Sequence, residues 1–497
     1  MVSLLEARED DPILEPSAGK GVFLDSLVSA GFTDLTAVEI DHSLCRRSDH
    51  EIEHCSFLTW DKPKCFAAVV GNPPYVRWKN MNESQRQEMR NHRQWGRLFN
   101  SLSDYLTVFI VSSVEALRPG GELVFITPSF WLGTKHSGNL REWLLRQGAF
   151  TSIVDFGESS VFPGVSSHII IFRFQKGLAQ AHTEIEKWRY HGKRHLPDHL
   201  DLSDASQFGF ELIPSFTAQK QWSLSSKSVQ KSADRLGAFC AYGTEPRLLD
   251  YVRIANGMVS GLDKAFQIPD DAAGNLNERE LEDTYTVLKA KDMAQLQPRR
   301  YRKYINIKSE VSQSQFREYY PYFYSLLTPF RDALEKRYSY GRDLPFWDWA
   351  FKRSESFFLS PVGKIFVPSK ERLTSRKFIR FSLVNGGIIA TQDVTAIAPL
   401  DTTRESLEYI YGFLILPAVT DWVRAYGHLK GGVAEFSKRP LGDIPFRPID
   451  WNSTFEVQLH DKIKNRVLES VNTSDFIGLR EDLTVLFAEL DWRARLL

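Results

Sequence analysis

The alternation of short apolar runs with helical patterns over the first third of the chain constrains its fold more than any other feature. The runs predicted to be buried strands are Ile13–Glu15, Leu35–Ile40, Phe66–Val70, Leu123–Thr127, Ile153–Phe156 and His168–Phe174. The intervening stretches predicted to be helices include Val22–Ser29, Leu102–Leu117 and Leu140–Arg146. Strands that alternate with helices predict an α/β fold with a mostly parallel, doubly wound sheet. Such a sheet binds ligands beyond the carboxyl ends of its strands.

The length of 497 residues is too great for one compact core and predicts at least two domains. After Gln175 the alternation gives way to a polar stretch that we expect to be irregular. From about Leu248 the sequence changes to short aromatic segments, basic clusters and Pro/Gly turns. We therefore expect a boundary between residues 235 and 247, with domains at 1–242 and 243–497. Two helical patterns close the chain, Phe455–Val471 and Ile477–Leu490.

Composition excludes some functional classes and leaves others open. No apolar run approaches the roughly 20 residues that cross a bilayer, and the start MVSLLEARED lacks a secretory signal, so we expect a cytoplasmic protein without membrane contact. The four cysteines form no CxxC pair, which argues against a zinc site and a disulfide framework. The 62 basic and 62 acidic residues give a net charge of +0. A balanced net charge does not exclude binding to nucleic acid, because phosphate contacts need only a local basic face.

A loop rich in small residues follows the first predicted strand. The segment LEPSAGKGVF leads from Leu14 through a glycine turn into a helix. Small residues let the backbone approach a ligand, and a helix N-terminus favours negative charge. The loop lacks the third glycine of a dinucleotide fingerprint and the Gly-Lys-Ser/Thr of a P-loop. Glu39 ends the second strand about 20 residues on, where an acid that bonds ribose hydroxyls is expected. An ordinary strand-to-helix turn is the alternative.

The Asn-Pro-Pro-Tyr sequence from Asn72 to Tyr75 follows the strand Phe66–Val70. Two prolines hold the backbone extended and remove two amide donors. The side-chain carbonyl of Asn72 and the backbone carbonyl of Pro73 can then accept both hydrogens of one planar amino group. Tyr75 can stack on the ring that carries this group. The motif predicts an amino-group clamp, and a rigid proline turn capping a strand is the alternative.

These motifs resemble the TaqI-like adenine-N6 DNA methyltransferases, in which Asn-Pro-Pro-Tyr is catalytic. The likeness covers most of the first domain through LEPSAGKGVF, VEID, VVGNPPY, DYLTVF, LRPGGELVFITPSFW, and VFPGV before HIIIFRFQK. It is looser beyond, through LLDYVRIANGMVSGLDKAF, SYGRDL and KGGVAEFSKRPLGDIPF. The resemblance implies a Rossmann-like catalytic domain that uses S-adenosyl-L-methionine, followed by a mixed α+β target-recognition domain.

The resemblance also implies roles for individual residues. An aromatic at the Phe162 position packs against a flipped adenine in the family, so the implied catalytic set is Asn72, Pro73, Pro74, Tyr75 and Phe162. The implied cofactor set follows the ligand from its methionine end to its adenine end. Its members are Glu15, Pro16, Ala18, Gly19, Gly21 and Phe109 at the methionine part, Glu39 at the ribose, and Ile40, Ser56 and Phe57 at the adenine. No metal is implied.

The sequence departs from the family pattern in two places, and both departures concern the cofactor. The family usually has an acid at the end of the third strand, accepting from the amino group of the cofactor adenine, where this chain has Ser56. A hydroxyl accepts more weakly than a carboxylate, so we expect reduced cofactor affinity. The family also has an upstream Thr-Pro-containing segment that closes over the cofactor. Because MVSLLEA aligns within the helix after that segment, we expect either a truncated start or another segment covering the cofactor.

Basic clusters in the second domain are candidate contacts to the phosphates of double-stranded DNA. They comprise Arg299, Arg300, Arg302 and Lys303 around Tyr301, then Lys370, Arg372, Arg376, Lys377 and Arg380, then Lys430, Lys438 and Arg439. Each cluster alone is more often a solvated face. No Asp…Glu-x-Lys nuclease cluster is found, so we expect that any cleavage in a restriction-modification system belongs to a separate restriction endonuclease.

Two other functions remain open. Asn-Pro-Pro-Tyr also serves methyltransferases that act on protein glutamine or on RNA guanine, which usually carry only a small extra domain. The second alternative is a DNA-binding specificity module whose catalytic half has degenerated, which Ser56 and the short start favour. The intact run from Asn72 to Tyr75, with Phe162, favours an active enzyme.

Overall fold

The structure is a computed structural model, and it forms two compact units. It describes residues 1–45, 50–61, 65–157, 159–162, 167–179, 184–192, 196–197, 199–218, 221–241, 244–307, 310–338, 341–373, 378–430 and 432–490. The first unit is Met1–Gln230 with Lys430–Gly432, and the second is Lys231–Leu429 with Val433–Leu497. The division falls inside a helix, a little before the boundary expected at 242/243. The catalytic and recognition roles of the two domains stay predictions.

The first unit alternates strands and helices along the chain. Its strands are β1 Ile13–Glu15, β2 Leu35–Glu39, β3 Glu53–His54, β4 Phe66–Gly71, β5 Leu117–Pro128, β6 Gly148–Asp155, β7 Ile169–Lys176, β8 Ile185–Tyr190 and β9 Phe208–Ile213. Its helices are α1 Val22–Ser29, α2 His42–Cys45, α3 Glu83–Asn91, α4 Tyr105–Ala116 and α5 Gly138–Gln147, and α6 Lys227–Cys240 leads into the second unit. The predicted strands and helices of this region are therefore confirmed to within a few residues at most ends.

All nine strands form one sheet in the order β3-β2-β1-β4-β5-β7-β6-β8-β9. The pairs β1/β2, β1/β4, β2/β3, β4/β5 and β6/β8 are parallel, and β7 runs antiparallel to β5 and β6. The chain proceeds outward from β1 to β3 and then returns to β4 on the other side of β1. The sheet therefore has its topological switch point between β1 and β4, where α/β sheets bind ligands.

Apolar residues on both faces of the sheet explain why it is doubly wound. Successive residues of a strand point to opposite faces. In β4, Val69 joins the cluster that includes eight of the twelve residues of α4, whereas Ala68 and Val70 join the cluster that includes Leu24 and Leu27 of α1. The helical turn Val2–Leu4 packs against this second cluster. The sheet is thus covered by helices on both sides, which confirms the expected α/β class.

The polar stretch after Gln175 is not irregular, and that expectation was wrong. It contains β8 and β9, which extend the sheet beyond β6. β8 has three charged side chains among its six residues, and only the two end residues of β9 are buried. A half-exposed strand near a sheet edge has a weak apolar signal, which explains why the pattern was missed.

The second unit is mixed α+β. Its strands are β10 Val252–Asn256, β11 Gln267–Ile268, β12 Thr284–Leu288, β13 Arg302–Ile305, β14 Lys364–Pro368, β15 Lys370–Arg372, β16 Ser382–Val384, β17 Ile389–Ala390, β18 Val394–Pro399, β19 Leu429–Lys430 and β20 Val433–Glu435. Its helices are α7 Asp263–Phe266, α8 Glu278–Glu282, α9 Gln313–Tyr319, α10 Pro321–Leu327, α11 Arg331–Glu335, α12 Glu355–Leu359, α13 Leu407–Leu414, α14 Pro417–Tyr426, α15 Lys438–Gly442, α16 Thr454–Thr473 and α17 Phe476–Glu489. The last two confirm the predicted terminal helices.

Two four-stranded sheets organise this second unit. Their orders are β10-β18-β14-β16, which is antiparallel throughout, and β11-β13-β12-β17. One apolar cluster lies around α13, α16 and α17, and another gathers aromatic side chains that include Trp349. In the part of the chain that the structure describes, no helix is long and apolar enough to cross a membrane.

Candidate active site

The loop after β1 turns sharply at two glycines. Gly19 has φ +58°, and Gly21 has φ +86° where it caps α1. These are left-handed conformations that glycine adopts without strain. A side chain built on Gly19 would meet no heavy atom within 4 Å, so the loop is open above this residue. The loop therefore presents bare backbone to the space beyond the carboxyl end of β1.

The Asn-Pro-Pro-Tyr motif lies beside this loop because β1 and β4 are adjacent parallel strands. A Cβ placed on Gly71 would lie 3.5 Å from Cδ of Pro16 and 3.8 Å from Cγ of Glu15. The Ser17 hydroxyl donates a hydrogen bond of 3.2 Å to the main-chain carbonyl of Asn72. The two motifs predicted separately from the sequence thus meet at the switch point of the sheet.

The side chain of Tyr75 occupies part of the predicted clamp. Its hydroxyl hydrogen-bonds to Oδ1 of Asn72 and lies 2.7 Å from the main-chain carbonyl oxygen of Ile126 in β5. One hydroxyl hydrogen serves two acceptors, so only one of these bonds can be well made. Burial raises the pKa of Tyr75, which keeps the phenol neutral. Within the described residues the carbonyl of Pro73 accepts no hydrogen bond, so it remains open to a donor.

Two carboxyl groups lie at the ends of β1 and β2, and they differ in how far their oxygens are hydrogen-bonded. Glu39 Oε2 accepts from the Gly19 amide at 2.9 Å, and its Oε1 accepts from the Asp41 amide at 2.9 Å. Glu15 is 1% exposed, and its Oε2 has no hydrogen-bond partner in the described part of the chain. Burial, and then the charges of Glu39 and Asp25, raise the pKa of Glu15 to about 9. Glu15 is therefore a buried neutral acid at pH 7.

The residues predicted at the adenine end follow β2 and β3. Ile40 is 57% exposed, which leaves an apolar surface next to the site. Phe57 is buried and packs against Phe109, with ring centroids 5.4 Å apart. Ser56 is half-buried, and its hydroxyl makes no hydrogen bond to the rest of the described chain. The structure therefore brings these residues to the same edge of the sheet, with Ile40 and Ser56 the more accessible.

Phe162 lies on the connection from β6 to β7, half-buried against the apolar cluster that includes Ile126. Both ends of this connection meet at Asp155, whose Oδ1 accepts from the Gly157 amide at 2.8 Å and from His168 Nε2 at 2.6 Å. Burial alone would raise the pKa of Asp155, but His168 and Arg189 outweigh it and hold the pKa below its usual range. Pro163, Gly164 and Val165 of the predicted motif lie outside the described residues.

Sequence reasoning missed three contributors to the site. Ser17 bridges the two motifs, and it could have been suspected as the hydroxyl between Pro16 and Ala18. Asp155 ends a buried strand, which is a position where an acid needs a partner. The carbonyl of Ile126 gave no signal, because any residue supplies the same backbone group.

The basic clusters of the second unit are only partly available for contacts. Arg302 is buried and pairs with Asp292, so the prediction that it contacts phosphates is wrong. Arg380 is largely buried and donates to Glu371 at 2.8 Å, which makes it structural as well. Several side chains remain exposed: Arg299, Arg300, Lys303, Lys370, Arg372, Lys438 and Arg439. Arg376, Lys377 and the side chain of Lys430 lie outside what the structure describes.

Comparison with known proteins identifies the family. The model of the Eco57I restriction-modification methylase matches residues 22–162, which include the Asn-Pro-Pro-Tyr motif and begin just after Gly21 of the glycine loop. The Type II methyltransferase M.HindII of Haemophilus influenzae is 39% identical over 494 residues, covering 97% of this chain and 93% of the relative. The chain belongs to the Type II restriction-modification methyltransferase family. M.HincII of Haemophilus influenzae is 38% identical over 485 residues, with the same coverage of both chains.

More distant similarities agree with this membership. M.TthHB8I of Thermus thermophilus is 34% identical over 187 residues, which cover 36% of this methyltransferase and 42% of the relative. The Type IIL restriction-modification enzyme MmeI, solved in complex with DNA, has a TM-score of 0.62 at 12% identity. That likeness covers 97% of this chain and 69% of the MmeI chain, and it concerns the fold alone.

S-adenosyl-L-methionine is the methyl donor of this family and of this chain. The residues at the switch point suit it. The open backbone at Gly19 leaves room for a ligand, and the buried Oε2 of Glu15 lacks a hydrogen-bond partner that the amino group of the donor would supply. Each Glu39 oxygen accepts one amide and keeps a second lone pair for a ribose hydroxyl. The predicted cofactor residues therefore fit the donor chemically, while their individual roles stay predictions.

Proposed function

We propose that this methyltransferase transfers a methyl group to the exocyclic N6 amino group of adenine in double-stranded DNA, as in the TaqI-like class. The observation that carries the proposal is the meeting of the Asn72 clamp with the loop from Glu15 to Gly21 at the switch point between β1 and β4. A clamp for a planar amino group beside a methyl-donor loop suits N-methylation. The relatives' designation as Type II methyltransferases supports DNA as the substrate.

An adenine paired inside a duplex cannot reach this edge of the sheet. The base has to be flipped out of the stack, at a cost of a few kcal/mol. Tyr75 and Phe162 would enclose the flipped ring, and each aromatic pair contributes about 0.5–1.5 kcal/mol beyond its burial. Both side chains are half-buried, so part of each remains available for a base.

Asn72 and Pro73 would hold the target nitrogen. Its two hydrogens would bond to Oδ1 of Asn72 and to the carbonyl of Pro73, which accepts no other donor in the described chain. The amino group would first displace the Tyr75 hydroxyl from Asn72. When bound, S-adenosyl-L-methionine supplies the methyl group. Asn72 and the Pro73 carbonyl would hold the nitrogen while its bond to the methyl carbon formed and the donor's S–C bond broke, and the nitrogen would then lose a proton to water. Positioning supplies most of the rate gain.

Target recognition is proposed for the second unit. Its exposed cations, among them Arg299, Lys370 and Lys438, would contact phosphates and set register. Because its buried arginines are paired internally, the contacts would come from fewer side chains than the sequence suggests. Cleavage of unmethylated DNA is assigned to a separate restriction endonuclease, and the site of action is proposed to be the cytoplasm.

Transfer of tritium from the labelled donor to DNA, RNA or protein tests this function. We expect label in duplex DNA, and nucleoside analysis should then find N6-methyladenine. Label in RNA or in protein glutamine would replace the proposal by one of the alternative substrates, and donor binding without transfer would indicate a catalytically impaired specificity module. Methylation-sensitive sequencing of DNA from expressing cells would then give the recognition sequence.

A further inference from the structure

The polypeptide immediately after Tyr75 is unusually basic. From Arg77 to Arg97 it contains six basic residues and two acidic ones, in a chain whose total charges balance. We call Arg77–Arg97 the basic segment. Because it continues directly from the Asn-Pro-Pro-Tyr motif, it leaves the sheet at the carboxyl end of β4, where the site lies.

The basic segment is a folded element. It begins with a short helical turn at Trp78–Asn80 and continues into α3, whose N-terminus is closed by a capping box between Asn82 and Gln85. Met81 and Met89 are buried in the apolar cluster beneath the sheet and fix the segment to the unit. A segment fixed in this way holds the backbone that carries its surface side chains in place without a partner.

Two stacked indoles join the two ends of the basic segment. The rings of Trp78 and Trp95 lie 5.3 Å apart and are inclined by 28°. The guanidinium of Arg90 lies 5.3 Å from the centre of the Trp78 ring. This stack brings the surroundings of Lys79 close to those of Arg97, although 17 residues of chain separate them.

The acids near the basic segment are already engaged. Glu83 pairs with Arg90 at 2.7 Å and with Arg86 at 3.5 Å, and Glu88 accepts from the Tyr105 hydroxyl.

Arg93 pairs with Glu115 at 2.7 Å, and Arg77 lies near Asp104. Lys79 and Arg97 are exposed and form no ion pair within the described residues. These two cations, at the two ends of the segment, are thus available to an external anion.

We propose that the basic segment binds the phosphate backbone of double-stranded DNA next to the flipped nucleotide, with Lys79 and Arg97 as the phosphate contacts. This inference rests on the proposed function, since it assigns part of the DNA contact to the catalytic unit itself. A duplex whose base enters the clamp brings its backbone past the first residues after Tyr75. Lysine and arginine are common side chains in phosphate contacts, and phosphate contacts carry no direct sequence information.

The salt dependence of DNA binding tests this proposal. A fluorescein-labelled random-sequence duplex of about 30 base pairs, long enough to span many phosphates, would be titrated at several KCl concentrations. Each phosphate contact contributes about 0.9 to the slope of log K against log salt. Lys79→Ala/Arg97→Ala should therefore reduce the slope by about 1.8 and weaken binding at 0.1 M KCl by roughly 10- to 100-fold.

The matched control is Arg118→Ala/Arg146→Ala. Arg118 near the start of β5 and Arg146 near the end of α5 lie at the opposite edge of the sheet, and both are exposed cations, paired with Asp11 and Glu142. This variant should keep the wild-type slope. An unchanged slope for Lys79→Ala/Arg97→Ala, with wild-type thermal stability, would overturn the proposal while leaving the proposed function intact. Wild-type protein that bound RNA but no duplex DNA would overturn both.

Discussion

The switch point of the first unit and the buried ion pairs of the second unit leave their polar groups in different states. At the switch point of the first unit, Glu15 keeps a buried carboxyl oxygen without a partner, and Tyr75 offers one hydrogen to two acceptors. In the second unit, buried charges are paired with each other, as in Arg302 with Asp292 and Arg447 with Glu456. Unmet hydrogen-bonding capacity in a folded protein is costly, so a buried carboxyl oxygen without a partner beside the glycine loop supports a ligand site at this edge of the sheet.

The difference also shows how charge should be interpreted. A cluster of arginines in a sequence suggests an anion site, but pairing with a distant acid removes an arginine from contact. Exposed cations without an acid partner are a better indication than the number of cations. By that criterion the basic segment after Tyr75 is a stronger candidate for phosphate contact than Arg302 or Arg380.

Removal of the clamp should have the largest effect. Asn72→Ala removes one of the two carbonyl acceptors, and we expect methyl transfer to fall about 1000-fold, or roughly 4 kcal/mol. Donor binding and DNA binding should be retained, because Asn72 is a small part of either surface. Single-turnover tritium transfer measures the rate. The exposed Asn275 gives a control, since Asn275→Ala should keep full activity. Equal rates for the two variants would contradict the clamp.

Breaking a buried ion pair in the second unit should lower the stability of the protein and leave methyl transfer unchanged. Arg302→Ala leaves Asp292 with a weakened set of partners, and we expect a loss of about 3 kcal/mol in the free energy of unfolding. The exposed Arg299 should behave differently, with Arg299→Ala within about 0.5 kcal/mol of wild type. Urea denaturation compares the two. If Arg302→Ala were stable but defective in DNA binding, Arg302 would be a DNA contact after all.

The neutral acid of the first unit predicts a pH dependence of stability. The pKa of Glu15 is raised from 4.5 to about 9, so the folded protein retains a proton that the unfolded chain loses above about pH 5. Without the donor, stability should therefore fall as pH rises from about 5 to 9, by at most about 1.4 kcal/mol per pH unit. Glu15→Gln should flatten this profile in thermal unfolding. The exposed Glu51 gives the control, since Glu51→Gln should leave the profile steep.

The smallest effect should come from the hydroxyl of Tyr75. Tyr75→Phe keeps the ring for stacking and frees Oδ1 of Asn72, so we expect activity within about threefold of wild type. Tyr75→Ala removes the ring as well, and activity should fall about tenfold, which is the energy of one aromatic pair. Measuring kcat and KM for both variants separates the two contributions. A large loss in Tyr75→Phe would show that the hydroxyl itself acts in the reaction.

The sequence predicted the site best where a local motif follows a strand whose neighbours in the sheet could also be predicted. Glu15, Gly19 and Asn72 could be brought together in advance, because parallel neighbouring strands end at the same edge. The strands β8 and β9, which extend the sheet beyond β6, were missed because charged residues in β8 and half-exposed positions in both strands weaken the apolar pattern. The partners of Arg302 and Asp155 were also missed. Pairing between residues distant in sequence depends on tertiary packing and leaves no local pattern.

The hydroxyl of Tyr75 has a consequence for substrate choice. When its hydrogen points to Asn72 and not to the carbonyl of Ile126, it occupies one lone pair of Oδ1, so a base that needs this position enters by exchange. On the proposed function, adenine replaces one donor by another and conserves the number of hydrogen bonds. A base with a carbonyl in the same place has no hydrogen to donate to Oδ1 of Asn72. It therefore cannot replace the hydroxyl of Tyr75 as the donor. On the proposed function, the Tyr75 hydroxyl would thus favour rings that carry an amino group over rings that carry a carbonyl in the same place.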